Sequence, residues 1–239
     1  MSKLHQILII VLFLISSASG NSSIFAGDFV EPSKKFELKG WKLQIPGPKD
    51  IFNLDNYATK YFYLNKYNEM VFWLNSAEKG ATKNTKFIRS ELRHLTNWSI
   101  DGHYRIRGIL RVESKLYPDK VTVMKIHGFT KPGGYAPTLV RIALNDKELF
   151  AYLNRSNTPK DTMGILLEEK VDRQLFKCLI EVNKGYLTIK VNGKEKLAYD
   201  VSYWKYKSYF KAGCYPQSQN GEIKVMFKEL SIWIDPDQS

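Results

Sequence analysis

Three short segments of the chain alternate polar with apolar residues, as a strand does when one of its faces carries chemistry. They are residues 89–93, 125–127 and 209–217. Because successive side chains of a strand point to opposite faces, each segment presents its polar side chains together. The predicted polar faces contain Arg89, Glu91 and Arg93, then Lys125 and His127, then Tyr209, Lys211, Tyr215 and Gln217. Each face alone suits a solvated surface, but Tyr and His beside clustered cations indicate a site if the strands are neighbours.

These side chains suit β-elimination on a polymer of uronic acids. The C5 proton of a uronate is weakly acidic while its carboxylate is charged, so cations must stabilise the negative charge that develops as the proton leaves. A base removes that proton and an acid protonates the departing glycosidic oxygen, tasks that suit His and Tyr. Glycoside hydrolysis needs two flanking carboxylic acids, whereas the three segments contain only Glu91. Cationic side chains can neutralise the carboxylate, so we predict no metal and no other cofactor.

The charge of the chain favours a polyanionic partner. Its 239 residues contain 36 Lys and Arg against 24 Asp and Glu, a formal net charge of +12. Such an excess suits nucleic acid, an anionic membrane or an acidic polysaccharide. With 44% hydrophobic and 13% aromatic residues, the sequence is not that of a disordered chain. A chain of this length can bury a core without disulfide bonds.

The N-terminal sequence indicates which of these partners is expected. Residues 1–20 have the pattern of a secretory signal peptide: Lys3, an apolar run over residues 7–15, and small residues at 18–20. The apolar run is shorter than the about 20 residues that a membrane-spanning helix needs, although an uncleaved anchor is the alternative. Three glycosylation sequons follow, at Asn21, Asn97 and Asn154. We therefore predict a secreted, extracellular glycoprotein whose partner is an acidic polysaccharide, with no nucleic acid and no membrane attachment after cleavage.

The remainder of the sequence predicts strands. Period-two runs separated by turn residues lie at 41–45, 61–63, 70–74, 87–95, 102–112, 120–127, 138–144, 148–153, 163–168, 174–183, 186–191, 196–199, 209–217 and 222–234. Asn192-Gly193 between two runs indicates a type I′ hairpin, and Pro32-Ser33 suits one helical turn. No repeat or linker divides the chain. We predict that residues 21–239 form one all-β domain, an antiparallel β-sandwich of jelly-roll type, and that the protein is a monomer.

The two cysteines, Cys178 and Cys214, leave two alternatives open. An even number in an oxidising compartment allows a disulfide. Two separate buried thiols suit the pattern equally well, because free Cys is among the most buried side chains.

The motifs resemble those of polysaccharide lyase family 7, the alginate lyases of jelly-roll fold. Arg-Ser-Glu-Leu-Arg at 89–93 matches the first family motif, and Tyr-Phe-Lys-Ala-Gly-Cys-Tyr-Pro-Gln at 209–217 matches the third at every fixed position. Trp-Lys-Leu-Gln-Ile-Pro at 41–46 and the aromatic pair at 72–73 are also similar. The resemblance covers about residues 30–235.

The resemblance implies roles for individual residues. In the family, a Gln two residues before the His and the first Arg hold the uronate carboxylate, the His is the base, and the second Tyr of the last motif is the acid. Carried over, these roles fall on Arg89, His127 and Tyr215, with Lys125 where the family has Gln. We expect the other polar residues of the three segments to bind substrate: Glu91, Arg93, Tyr209, Lys211 and Gln217.

Lys125 is the one departure from the family motifs. An ammonium neutralises a carboxylate as a point charge without the directed geometry of an amide, and its charge lowers the pKa of a neighbouring His. We predict a lyase that cleaves alginate or a related polyuronate. The alternatives are a glucuronan-type lyase, because Lys125 alters the uronate site, and a non-catalytic, lectin-like binder of acidic polysaccharide.

Overall fold

The computed structural model describes residues 29–47, 50–75, 78, 87–115, 120–131, 134–217 and 221–235; the predicted signal peptide and Asn21 lie outside them. Within these residues, one 3-10 turn and fourteen strands follow each other along the chain. The turn is Pro32–Lys34, and the strands are β1 (Trp41–Gln44), β2 (Phe62–Leu64), β3 (Met70–Asn75), β4 (Ser90–His94), β5 (His103–Ser114), β6 (Lys120–Phe129), β7 (Thr138–Asn145), β8 (Glu148–Asn154), β9 (Thr162–Glu168), β10 (Phe176–Asn183), β11 (Tyr186–Val191), β12 (Lys194–Asp200), β13 (Lys207–Pro216) and β14 (Glu222–Asp235). In this part of the chain no helix has the length and apolar character needed to cross a membrane.

The strands form two stacked antiparallel sheets. One sheet, here called the site sheet, has the order β1-β4-β13-β6-β7-β8-β9. The other, the back sheet, has the order β12-β11-β10-β5-β14-β3-β2. The predicted all-β antiparallel sandwich of jelly-roll type is confirmed.

Turn chemistry fixes several of the hairpins. Asn192 and Gly193 have φ values of 51° and 83° and connect β11 to β12, so the predicted type I′ turn is correct. Two further hairpins have the same pair of positive φ values, at residues 146–147 and 184–185. The first of these contains no glycine; Asp146 and Lys147 themselves adopt the left-handed conformation. A turn without glycine has no signal in the sequence comparable to Asn192-Gly193.

The core lies between the two sheets and closes without a disulfide. Trp98 bridges the sheets, since its ring lies 4.2 Å from that of Tyr104 on the back sheet and 5.0 Å from that of Phe210 on the site sheet. Cys178 lies on the back sheet and Cys214 on the site sheet; both are buried, and both are free thiols. Burial raises the pKa of Cys178 to about 12. Of the two alternatives that the sequence left open, the structure has the separate buried thiols.

Candidate active site

The three polar segments lie on neighbouring strands at the centre of the site sheet. β13 pairs with β4 on one side and with β6 on the other. Lys211 is therefore directly opposite both Arg93 on β4 and Lys125 on β6. The structure thus brings the three polar faces together on one surface of the sandwich.

A row of basic residues crosses this surface from strand to strand. Cross-strand pairing connects its members without a gap from β1 to β7: Lys42, Arg93, Lys211, Lys125 and Arg141. We call these five residues the cationic row; Tyr152 on β8 is the next residue along it. Adjacent strands lie about 4.8 Å apart, so the six positions span about 24 Å. A polyanion that crosses the strands would lie along this row.

The carboxylate of Glu91 is buried beneath the middle of the cationic row. It contacts Lys211 Nζ at 2.6 Å, Lys125 Nζ at 2.8 Å and Arg89 Nη1 at 3.5 Å. Burial by itself would raise the pKa of Glu91, but these three cations lower it well below its usual range. Glu91 is therefore ionised at neutral pH and offsets part of the charge of its neighbours.

Gly213 lets β13 approach β4 at this point. It pairs with Glu91, and a Cβ added to it would lie 2.4 Å from the Ser90 carbonyl oxygen and 2.7 Å from the Glu91 Cα. Its φ of +142° also suits glycine alone. The register of β13 against β6 shifts between Ala212 and Tyr215, which marks a β-bulge at the same place. The motif's glycine is thus needed for the close strand contact that buries the Glu91 carboxylate.

Glu91, Lys125 and Lys211 are the most deeply buried of the predicted site residues; the sequence predicts substrate binding for Glu91 and Lys211 and places Lys125 where the family residue holds the uronate carboxylate. They are only 2–4% exposed. Lys211 also donates a hydrogen bond to Gln44 Oε1 at 2.7 Å. Burial lowers the pKa of both lysines, and the Glu91 carboxylate opposes that shift. The two ammonium groups are already desolvated and paired with Glu91. A groove crosses this surface of the site sheet, and the three side chains form its buried floor rather than its exposed lining.

His127 lies on the groove face of β6 in the form that can accept a proton. Its Nδ1 is 2.7 Å from the Gly128 carbonyl oxygen, which can only accept, so Nδ1 carries the hydrogen and Nε2 keeps a lone pair. Burial, together with the charge of Lys125, lowers the pKa of His127 to about 3. The ring of Tyr209 stacks on it with centroids 5.3 Å apart and an interplanar angle of 20°. At neutral pH His127 is therefore uncharged and held in one orientation.

Tyr215 lies at the other end of the motif, opposite Thr122 on β6. The Arg89 guanidinium carbon is 4.7 Å from the centroid of its ring, and Lys125 Nζ is 4.5 Å from it. Burial raises the pKa of Tyr215, with Arg89 acting in the opposite direction, so the phenol keeps its proton at neutral pH. Gln217 donates from Nε2 to Thr122 Oγ1 at 3.2 Å and is tied to β6 by that bond.

Two cavities meet at His127. The larger has a volume of about 850 Å³ and is lined on the β1 and β4 side by Lys42, Gln44, Arg93 and Asn97. The smaller has a volume of about 270 Å³ and is lined on the β7 and β8 side by Arg141, Tyr152 and Asn154. His127 and Tyr135 line both cavities. The groove therefore runs across the strands with His127 in its middle.

Two predicted glycosylation sites lie beside this groove. Asn97 accepts a hydrogen bond from Arg93 Nη2 through its Oδ1, at 2.9 Å. Asn154 is only 2% exposed, and its Oδ1 accepts from the Ser156 backbone amide at 3.3 Å. A buried asparagine is closed to a glycan in this fold, so Asn154 does not fit its predicted modification.

Sequence reasoning missed the ends of the cationic row. Lys42 and Arg141 lie outside the three segments, and Arg141 is the single charged residue of the run 138–144. Only the pairing of β7 with β6, which puts Arg141 opposite Lys125, brings it to the site. Within the described residues no group of three or more His, Cys, Asp or Glu side chains could hold a metal ion.

Solved structures of alginate lyases share this fold. A crystal structure of alginate lyase A1-II′, a member of polysaccharide lyase family 7, has a TM-score of 0.79 at 27% identity and covers 86% of this chain and 99% of its own. A variant of A1-II′ with one His changed to Asn and one Tyr changed to Phe, in complex with substrate (GGMG), has a TM-score of 0.79 at 26% identity, with coverages of 85% and 96%. An alginate lyase from Pseudomonas aeruginosa has a TM-score of 0.74 at 25% identity, with coverages of 83% and 100%.

The sequence comparison agrees with the structural one. The family model for alginate lyases matches residues 36–233, which include all three motif segments. A search of curated proteins found no match. The resemblance inferred from the motifs is confirmed: the chain belongs to the alginate lyase family, polysaccharide lyase family 7.

Proposed function

We propose that this protein cleaves alginate, or a related polyuronate, by β-elimination and leaves a 4,5-unsaturated sugar at the new non-reducing end. The observation that carries the proposal is the position of His127. It is neutral, has a free lone pair on Nε2, and lies in the middle of a groove that the basic side chains of the cationic row cross. The complex of a related lyase with an oligouronate substrate supports the substrate class.

Arg89 is the best candidate to hold the carboxylate of the uronate that reacts. Of the three cations around Glu91 it is the most distant, at 3.5 Å, and so the least neutralised. Its Nε is buried and has no hydrogen-bond partner in the described part of the chain. A buried donor without a partner costs free energy unless a ligand satisfies it, which an incoming carboxylate would do. Lys125 and Lys211 add positive potential from below.

In the reaction, His127 Nε2 accepts the proton from C5, and the electrons of the C5–H bond form the C4–C5 double bond. The bond from C4 to the glycosidic oxygen breaks, and the Tyr215 hydroxyl protonates that oxygen. Afterwards His127 releases its proton and Tyr215 regains one, so the enzyme returns to its starting state. The A1-II′ variant with one His and one Tyr replaced, captured with substrate, supports roles for these two residue types.

Tyr209 is a second candidate for the acid. Its ring contacts that of His127, whereas Tyr215 lies opposite Thr122, further along β6. Burial raises the pKa of Tyr209 as well, with Arg93 acting in the opposite direction, so both phenols carry a proton to donate. We assign the role to Tyr215 because it matches the family's second motif tyrosine and lies against Arg89.

The test is the ultraviolet absorbance of the unsaturated product. The protein should be incubated with mannuronate-rich alginate, guluronate-rich alginate and glucuronan, and absorbance followed with time. We expect it to rise on at least one alginate. A rise on glucuronan alone would favour the glucuronan-type alternative. No rise on any polymer, with binding intact, would refute the proposal and favour the lectin-like alternative.

We also propose that the protein is secreted, which suits an enzyme whose polymeric substrate cannot enter a cell. The support is the signal-peptide pattern of residues 1–20. Expression of the full chain in eukaryotic cells should release the protein to the medium, and deletion of residues 2–20 should retain it. Equal retention of both forms would contradict the proposal.

A further inference from the structure

Arg141 carries a charge that the described part of the chain does not compensate. Its neighbour in the cationic row, Lys125, has Glu91 at 2.8 Å. Arg141 itself makes no ion pair and no hydrogen bond among the described residues, and its Nε is buried without a partner. Its guanidinium carbon lies 4.7 Å from the ring centroid of Tyr152, and Lys120 Nζ lies 4.6 Å from the same ring.

This arrangement is unfavourable for the protein alone. Burial lowers the pKa of Arg141, because partial removal of the guanidinium from water disfavours its charged form. A guanidinium stays protonated in proteins, so it cannot escape this cost by losing its proton. Structural arginines in such places have a carboxylate or a carbonyl as partner. Arg141 is therefore better explained by an anion that comes from outside.

The position of Arg141 indicates which anion. Arg141 lines the smaller cavity together with His127 and Tyr152. Arg93 lines the larger cavity, on the other side of His127. Arg93 lies two strands from β6 and Arg141 one strand, or about 10 Å and about 5 Å across the sheet. A polyuronate that crosses His127 would thus meet an arginine on both sides of the bond that is cleaved.

We propose that Arg141 binds the carboxylate of the uronate on the β7 and β8 side of His127, and that Tyr152 holds its guanidinium in place. This inference rests on the proposed lyase function and extends it. The substrate then has to carry a uronate on each side of the cleaved bond, so the preferred substrate is an internal stretch of a polyuronate.

Arg141→Gln is the direct test, with Arg107→Gln as the matched control. Arg107 is on the back sheet, half exposed and paired with Glu229 at 3.1 Å, so its replacement changes the net charge equally but away from the groove. A hydrogen bond to a charged group corresponds to about 10- to 100-fold in affinity. We expect Arg141→Gln to raise the KM for a polyuronate by about that factor with little change in kcat. Arg107→Gln should leave both constants unchanged, and Arg141→Lys should restore part of the affinity.

Two further measurements distinguish substrate binding from a structural role. Because Arg141 makes no ion pair and no hydrogen bond among the described residues, Arg141→Gln should leave Tm unchanged or raise it. The dependence of log KM on log salt should also become shallower by about one released ion, the behaviour known for polyanions that lose one cationic contact.

The failures can be told apart. If the unaltered protein forms no unsaturated product from any polyuronate, the proposed function itself fails. If the unaltered protein is active and Arg141→Gln has the KM of Arg107→Gln, the inference about Arg141 is wrong. A variant Arg141→Gln that unfolds, or whose Tm falls together with kcat, contradicts the inference as well, because it would show that Arg141 supports the fold.

Discussion

Replacing Glu91 by Gln tests whether this carboxylate holds the floor of the groove together. The carboxylate contacts Lys211 at 2.6 Å, Lys125 at 2.8 Å and Arg89 at 3.5 Å, and the residue is 2% exposed. Glu91→Gln keeps the shape but leaves three cations side by side without a counter-charge. Removal of one partner of a buried ion pair costs about 3–5 kcal/mol. We expect the free energy of unfolding at neutral pH to fall by about that amount.

The prediction has a control within the same chain. Glu229 pairs with Arg107 at 3.1 Å, but its side chain is 53% exposed, and such exposed pairs contribute about 0–1 kcal/mol. For a chain of this size, 1 kcal/mol corresponds to about 2–4 °C in Tm, so Glu91→Gln should lower Tm by about 6–20 °C. Glu229→Gln should lower it by no more than about 4 °C. Thermal and denaturant unfolding of both variants measure the difference.

The pH dependence of unfolding gives a second test of the Glu91→Gln prediction. Burial already lowers the pKa of Lys211, and without the Glu91 carboxylate that pKa would be lower still. Loss of a proton from Lys211 relieves the repulsion, so the deficit of Glu91→Gln should shrink as pH rises. Equal losses for Glu91→Gln and Glu229→Gln would refute the buried-floor interpretation. Full stability together with weaker substrate binding would instead return Glu91 to the direct substrate contact that the sequence predicted.

Three further predictions concern the chemistry. Tyr215→Phe should lower turnover by about 100-fold or more with little change in binding, and Tyr209→Phe should be milder; the reverse result in initial rates would transfer the acid role to Tyr209. The acidic limb of kcat/KM should lie near pH 3, where His127 gains its proton, and a limb near its ordinary pKa of 6.5 would contradict the neutral, buried form. Lys125→Gln removes a positive charge beside His127, so it should stay active and move that limb to higher pH; an unchanged limb would show that burial alone sets the pKa.

The strands and the face of each site residue could be predicted from the sequence because both follow from local alternation. The pattern of β13 is sufficient to put Lys211 on the same face as Tyr215. Burial depth does not follow from that pattern. Lys211 is buried because Arg93 and Lys125 lie on the strands at its two sides, and the pairing that brings them there is non-local.

Arg141 is a second residue whose role does not follow from local alternation. Within the run 138–144 it is the one charged residue among mostly apolar ones. Considered alone, that pattern predicts that Arg141 lies on the solvated outer face of its strand. Its importance arises from its place opposite Lys125 and Tyr152, which depends on the order of β6, β7 and β8 in the sheet. Motif matching could not have found it either, because Arg141 lies outside the three matched segments.

Lys125, at the position of the family Gln, changes the electrostatic field in the groove more than it changes the contacts available to a sugar. Glu91 bonds the new ammonium at 2.8 Å and keeps it below the surface, so the exchange adds no free cation for a sugar to touch. Its charge still acts on His127, whose pKa it helps to lower, because Coulomb interactions are strong where water is excluded. Fixed charges of this kind need no reorganisation when negative charge develops in the transition state. In the proposed reaction, Lys125 therefore favours both a neutral His127 before the proton is taken and the anionic state that forms when His127 takes it.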